Sequence, residues 1–221
     1  YVGGFENFVH EFKKDDKDYI LRFVHSNHRS HNLVLAEIEF IDYLAHHNAP
    51  VSTVIHSINN KIVEKIELTN NTYLSVSVFT KAPGTYINRN QLNEEIYHTL
   101  GKHIGLLHKL TKSYKPHHKR HIWYEENYIE EALHHLEKED LKIIDLVQKQ
   151  IKKIKEIPRD LNNYGLIHTD LHFGNMYIDQ GQFTFFDFDD ASYKYFVSDI
   201  AIVLFYHFHA RPFDRDEITK Q

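Results

Sequence analysis

No cysteine occurs among the 221 residues, and methionine and tryptophan occur once each. The missing thiols exclude a disulfide scaffold, a thiolate metal site and a cysteine nucleophile, and they fit a reducing compartment, so a cytoplasmic location is expected. No apolar run approaches the roughly 18 residues needed to cross a bilayer. The first residues, Tyr1-Val2-Gly3-Gly4, lack the basic and apolar regions of a secretory signal. Neither a membrane nor an export role is therefore expected. Positive charge is not in excess either: 26 Lys and Arg face 31 Asp and Glu, for a formal net charge of −5. That balance disfavours a nucleic-acid binder working by phosphate neutralisation. Histidine is what the chain has in abundance, with 19 residues, several in pairs (His46-His47, His117-His118, His134-His135) on polar stretches that read as solvated surface. With pKa values near ~6.5, mild acidification turns the net charge positive, and solubility is expected to depend on pH there.

The chain is long enough for one large domain or two small ones. Residues 18–24 (DYILRFV) alternate and are rich in β-formers, and residues 61–68 and 72–79 read as a hairpin across Asn70-Asn71. Between them Asn32 is placed to cap a helix whose apolar stripe is Leu33, Ala36, Phe40, Ile41 and Leu44, ending at Asn48-Ala49-Pro50. Ala82-Pro83-Gly84 marks a boundary. Beyond it the pattern turns helical: Ile96, Leu100, Ile104, Leu107 and His108 share a face, and further helices are expected over 127–136 and 140–154. Short β-like runs follow at 166–168, 176–178 and 183–186, the last two joined by a Gln180-Gly181 turn, and residues 197–208 read as a buried helix. The expected fold class is α+β, two-lobed, with a small β-rich lobe over 1–82, a mainly helical lobe over 83–221 and a cleft between them.

The chemistry concentrates in residues 165–190, GLIHTDLHFGNMYIDQGQFTFFDFDD. Asp170 and Asn175 flank one side of the expected hairpin and Asp187, Asp189 and Asp190 the other. A hairpin brings its ends together, so Asp170, Asn175 and Asp187 should converge. One carboxylate for base chemistry, with an Asn and an Asp as hard oxygen ligands, suits Mg²⁺-dependent phosphoryl transfer.

The spacing H-x-D-x₄-N followed by D-F-D, here His168-Thr169-Asp170, Asn175 and Asp187-Phe188-Asp189, resembles the aminoglycoside phosphotransferase, choline kinase and homoserine kinase family, whose fold is protein-kinase-like. The resemblance implies that Asp170 orients or deprotonates an acceptor hydroxyl, that Asn175 and Asp187 hold Mg²⁺, and that His168 braces the loop. It further implies Arg22 on the α- and β-phosphates of ATP with Glu37 as its ion-pair partner, and Gly3-Gly4 as a phosphate-covering loop. Val78, Phe79 and Thr80 become the linker whose backbone meets adenine. Arg22 stands where the family has Lys or Arg, and its fork differs in geometry from an ammonium. The family's members carry further helices after the D-F-D segment, so acceptor-lining residues are expected beyond this chain. Partners implied are ATP and a hydroxyl-bearing acceptor: an aminoglycoside, choline, homoserine, a sugar or a protein Ser/Thr.

Each piece alone has a plainer reading. Gly3-Gly4 can be an ordinary turn, Arg22 with Glu37 a surface salt bridge, and Phe183, Phe185 and Phe188 core packing. Asp189 and Asp190 read as capping or solvated carboxylates, with a second metal as an alternative for Asp189. Asp199 reads as a first-turn carboxylate favoured by the helix dipole, or else as a buried brace of the catalytic loop. Glu125, Glu126, Glu130 and Glu131 suit either a cationic substrate or a solvated helix face. Two rivals use the same residues: a catalytically inactive nucleotide-binding module, and a non-haem Fe(II) oxygenase in which His168, Asp170 and a distal His207 or His209, followed by Arg211, imitate a facial triad. The oxygenase requires a many-stranded jelly roll, which the helical patterns contradict. The ordered run of glycine loop, cation strand, helix Glu, linker, H-x-D-x₄-N and D-F-D favours the phosphotransferase.

Overall fold

The computed structural model describes residues 7–88, 91–125 and 141–208. Strand β1 (Phe8–Lys14) and strand β2 (Lys17–His25) form an antiparallel hairpin. Asp15 and Asp16, both left-handed with φ of 49° and 58°, make the mirror-image turn whose twist matches the flanking strands. In β2 the residues facing the core include Arg22 and Val24, both buried. Helix α1 (His31–His46) follows, capped by Ser30 rather than Asn32: the Ser30 hydroxyl accepts from the Leu33 amide, and Asn32 falls inside the first turn. The helix ends where Asn48 turns left-handed with φ of 59°. His46 and His47 are exposed, as expected, and their Nδ1 atoms bond the last carbonyls of α1, those of Asp42 and Tyr43, at 2.8 and 2.7 Å.

Strands β3 (Val54–Ile55), β4 (Glu64–Glu67) and β5 (Tyr73–Thr80) complete an antiparallel sheet in the order β1-β2-β5-β3, with β4 also on β5. The β4–β5 hairpin turns across Asn70 and Asn71, both left-handed. Burial alternates along β5 through Ser75, Ser77 and Phe79, the period of a strand with one covered face.

Helix α2 (Glu94–Thr111) buries the expected face of Leu100, Ile104, Leu107 and His108, and its Asn93 cap accepts from the Ile96 amide at 2.9 Å. Helix α3 (Leu141–Lys155) matches the third expected helix, whereas the one expected over 127–136 lies outside the described residues. Strands β6 (Tyr164–Ile167) and β9 (Ser192–Tyr195) pair, as do β7 (Met176–Asp179) and β8 (Gln182–Phe185), whose turn is the expected Gln180-Gly181. Helix α4 (Val197–Phe208) has the expected bounds but is not buried: Asp199 and Val203 face inward while Val197, Ile200, Leu204 and Phe205 are exposed. A helix apolar on all sides reads as buried, whereas here one face, that of Asp199 and Val203, is packed inward.

One continuous core joins the two parts, running from Val24, Phe40 and Phe79 through Leu100 and Leu107 to Leu171, Phe185 and Phe188. Two backbone bridges clamp the β7–β8 hairpin against the first half of the chain. Phe185 donates to Pro50 O at 2.7 Å and accepts from Ser52, while Thr85 and Ile178 exchange both bonds. Gly84 makes the second bridge possible: its φ is +83°, and a Cβ there would stand 2.0 Å from the Ile178 carbonyl oxygen.

Burial lowers the His31 and His103 pKa values. The unfolded chain then binds more protons than the fold between those lowered values and about 6.5, so stability falls as pH drops. Urea denaturation of the wild type is expected to show a midpoint declining from pH 7.5 to pH 5.5, with a shallower decline in His31→Gln/His103→Gln.

Candidate active site

A cavity of about 570 Å³ opens between the sheet and the helical part, lined by Arg22, Glu37, Phe79, Asp170, Asn175 and Asp187 among others. Strand β2 delivers Arg22 to it and α1 delivers Glu37. The two side chains, 6% and 0% exposed, meet at 2.7 Å. This is a buried ion pair rather than a surface one. Burial works against both charges and pushes Glu37 up, but the neighbouring carboxylate outweighs it at Arg22, which is held above its ordinary range. The Arg22 guanidinium also lies 5.5 Å over the Phe79 ring and 4.0 Å from Asp187 Oδ1. Arg22 Nε and Glu37 Oε1 are buried without a protein partner.

The H-x-D loop leaves β6 at His168. A carbonyl can only accept and an amide N–H only donate, so His168 donates from Nε2 to Phe186 O at 3.0 Å and accepts at Nδ1 from Asp170 N at 3.3 Å. Both nitrogens are thereby engaged in holding the loop to the D-F-D segment, and neither is left for a metal. Thr169 adopts φ of 66°, costly for a β-branched residue. Asp199, with no exposed surface, holds it there: Oδ1 accepts from Thr169 N at 2.9 Å and Oδ2 from His108 Nε2 at 2.8 Å. Asp199 therefore braces the loop as well as standing in the first turn of α4, which corrects the preference for the helix dipole alone.

Asp170, Asn175 and Asp187 converge as the hairpin requires. Asn175 Nδ2 donates to Asp170 Oδ2 at 2.9 Å and to its carbonyl at 3.0 Å, and the Phe186 amide donates to Asn175 O at 3.1 Å. Asp187, left-handed with φ of 63°, presents a half-exposed carboxylate to the cavity. Burial raises the Asp170 pKa, but bonds from His172 and Asn175 and the nearby histidines outweigh it, leaving the group below its ordinary range. With its nitrogen committed to Asp170, Asn175 has its acceptor oxygen left for another partner. That oxygen and the Asp187 carboxylate are a hard donor pair, the chemistry Mg²⁺ prefers.

The remaining sequence candidates are placed as follows. Phe79 lines the cleft, joined beyond β5 by Lys81 and Ala82. Val78 and Thr80 are engaged in the sheet, opposite Leu21 and Tyr19, and Thr80 also bonds Thr53. Gly3, Gly4, Glu126, Glu130, Glu131, His134, His135, His209 and Arg211 lie outside the described residues. Glu125 accepts from the Ile122 amide at 3.2 Å, a local cap. His207 sits 2.7 Å from the Tyr97 hydroxyl. Among the described residues no three His, Asp or Glu side chains are grouped to hold a metal; with His168 committed on both nitrogens, the facial-triad reading is overturned.

Sequence reasoning missed a second polar cluster on the cleft. Asp189 is buried, not solvated: Oδ2 accepts from His28 Nε2 at 2.8 Å, and Arg29 reaches Asp189 at 3.5 Å and Asp190 at 3.0 Å. Burial raises its pKa, but His28, Arg22 and Arg29 prevail and hold it well below the carboxylate range. Arg120 donates to the carbonyls of Leu33, Asp189 and Ala191. His28, Arg29 and Arg120 stand in loops without periodicity, so no local pattern marked them.

Removing one partner of a buried pair strands the other charge. Glu37→Ala is expected to cost ~3–5 kcal/mol and lower Tm by roughly 6–20 °C, read by urea and thermal denaturation. A loss within about 0.5 kcal/mol, the range of ordinary surface changes, would contradict the ion-pair assignment.

A model of the phosphotransferase enzyme family matches residues 1–219. The amicoumacin kinase of Bacillus subtilis (strain 168) is 36% identical over 203 residues, which is 90% of this chain and 60% of that protein. The chain thus spans about 60% of the length of this relative. A solved amicoumacin kinase in complex with AMP-PNP, Ca²⁺ and Ami superposes with a TM-score of 0.89 at 30% identity, covering 100% of this chain and 68% of that one. A microcompartment-associated aminopropanol kinase superposes with a TM-score of 0.70 at 19% identity, covering 90% of this chain and 66% of that one, a likeness of fold alone. The matched sequence and the protein-kinase-like architecture agree, and the chain belongs to the phosphotransferase enzyme family.

Proposed function

We propose that the protein is an ATP- and Mg²⁺-dependent kinase that transfers the γ-phosphoryl group to a hydroxyl of a small molecule. The observation that carries this reading is the convergence, in one cleft, of the Asp170–Asn175 pair, the Asp187 carboxylate and the buried Arg22–Glu37 pair. In this reading residues 1–82 form the nucleotide-binding lobe and 83–221 the catalytic lobe, and the enzyme works in the cytoplasm. The likeness to amicoumacin kinases favours an antibiotic of the amicoumacin kind as acceptor over choline, homoserine or a protein Ser/Thr.

Asn175 and Asp187 would hold the Mg²⁺, which when bound neutralises charge on the transferring phosphate. Arg22, kept charged and aimed by Glu37, binds the nucleotide phosphates. Phe79 supplies an apolar wall beside them. Asp170, fixed by Asn175, accepts the hydrogen bond of the acceptor hydroxyl and takes its proton as that oxygen bonds to phosphorus and the bond to the β-phosphate oxygen breaks. A carboxylate of lowered pKa is a weak base, so its contribution is chiefly orientation.

Asp170→Ala is expected to lower kcat by about 10²- to 10⁴-fold with ATP affinity retained. For Asp187→Ala the loss should fall on Mg²⁺-ATP binding. A thermal-shift titration reads the second effect: at ~100 times Kd the ligand contributes about 2.7 kcal/mol, a rise of roughly 5–10 °C. The rise should need Mg²⁺ and vanish in Asp187→Ala. Transfer to amicoumacin, choline, homoserine and a Ser/Thr peptide is compared by ³¹P NMR. Full turnover by Asp170→Ala, or no nucleotide-dependent shift in the wild type, would defeat the proposal.

A further inference from the structure

His172 stands two residues after Asp170 in the same loop; the motif reading does not use it, and above it only helps to hold the Asp170 pKa down. Its Nδ1 accepts from the Gly174 amide at 2.8 Å. An amide N–H can only donate, so Nδ1 carries no proton and the ring's proton is on Nε2. Nε2 lies 3.3 Å from Asp170 Oδ2, the same oxygen that accepts from Asn175.

The ring is built into this position. On one side it packs on Tyr206 of α4, with centroids 4.8 Å apart. Its Nδ1–Cε1 edge occupies the space that a side chain at 174 would fill: a Cβ there would stand 2.5 Å from His172 Cε1 and 2.8 Å from Nδ1. Tyr206 thus packs on the imidazole, and the bare Gly174 gives its edge room. The loop also closes on itself through His172 N to Asp170 O and Asn175 N to His172 O, both 2.9 Å.

We propose that His172 is a positioning residue for the reaction: held by the Gly174 amide and packed on Tyr206 as the Nε2–H tautomer, it presents that proton to Asp170 Oδ2. Two donors, His172 and Asn175, then fix one carboxylate oxygen. The other oxygen is the one left to meet the acceptor hydroxyl. The inference rests on Asp170 being the residue that orients that hydroxyl.

Two isosteric variants separate positioning from loop structure. In His172→Gln the side-chain amide nitrogen reaches the place of Nε2 and keeps the donor to Asp170. In His172→Asn the amide oxygen replaces Nδ1 and keeps only the Gly174 bond. With amicoumacin and Mg²⁺-ATP as substrates, His172→Asn and His172→Ala should lower kcat by about 10- to 100-fold, the usual cost of losing an outer partner of an active group. ATP affinity should be unchanged by calorimetry, and His172→Gln should retain most of the turnover. Gly174→Ala, which evicts the ring, should behave like His172→Ala. The reverse order, with His172→Asn active and His172→Gln inactive, would assign His172 to the loop backbone and overturn the proposal.

A second readout does not depend on turnover. Histidine ¹⁵N NMR of the wild type, with the His172 signals identified by their loss in His172→Gln, should give the Nε2–H tautomer. The Nδ1–H tautomer would overturn the proposal even in an active enzyme. A wild type that transfers no phosphate to any acceptor would defeat the kinase reading, and the tautomer would still decide whether His172 faces Asp170 with its proton.

Discussion

Asp199 has no exposed surface, and a carboxylate in that position is tolerable only if its oxygens are met by donors. They are met by the Thr169 amide and by His108. The first of these bonds holds a β-branched residue at positive φ, and that twist sets the direction in which the chain presents Asp170. The second ties the same carboxylate to α2. Loop, α2 and α4 are thereby locked together, and the position of the Asp170 carboxylate follows from a buried charge on α4.

The loop is fixed a second time from the D-F-D side. His168 engages Phe186, the residue before Asp187, and Asn175 engages both Asp170 and Phe186. Asp187 shares the unusual left-handed backbone of Thr169. Strain of this kind persists where surrounding bonds over-determine it, and here the surrounding bonds join the two acidic segments that must share one cleft. Displacing either segment would cost several hydrogen bonds together.

The sheet side contributes charge under control. Arg22 is buried against Glu37 and stacked over Phe79, so its guanidinium has little freedom and a known direction. Asp189 is hydrogen-bonded by His28 and paired with Arg29, which come from the loop between β2 and α1. That contact ties the first half of the chain to the segment following Asp187. The seating of the β7–β8 hairpin against the first half of the chain therefore rests on paired charges and on the two backbone bridges, one at Pro50 and Ser52 and one at Thr85, with the continuous apolar core beneath them.

Much of this was legible in the residues. Period-2 and period-3.6 patterns located β2, the β4–β5 and β7–β8 hairpins, α1, α2 and α4, because each of these buries at least part of one face. The spacing of Asp170, Asn175 and Asp187 around a tight turn required them to converge, since a hairpin joins its ends whatever surrounds it. Strand β1 was missed because both its faces are largely exposed and carry no alternation, and β9 because, unlike the equally short β7 and β8, it has no tight turn joining it to its partner, the distant β6. The sequence could not reveal that Asp199 and Asp189 are buried and bonded to distant residues, nor that His172 packs on Tyr206 and accepts from Gly174. Those facts depend on contacts between residues up to 161 positions apart. Local pattern determines which face of an element is apolar; which polar groups are forced together out of water is decided only when the elements pack.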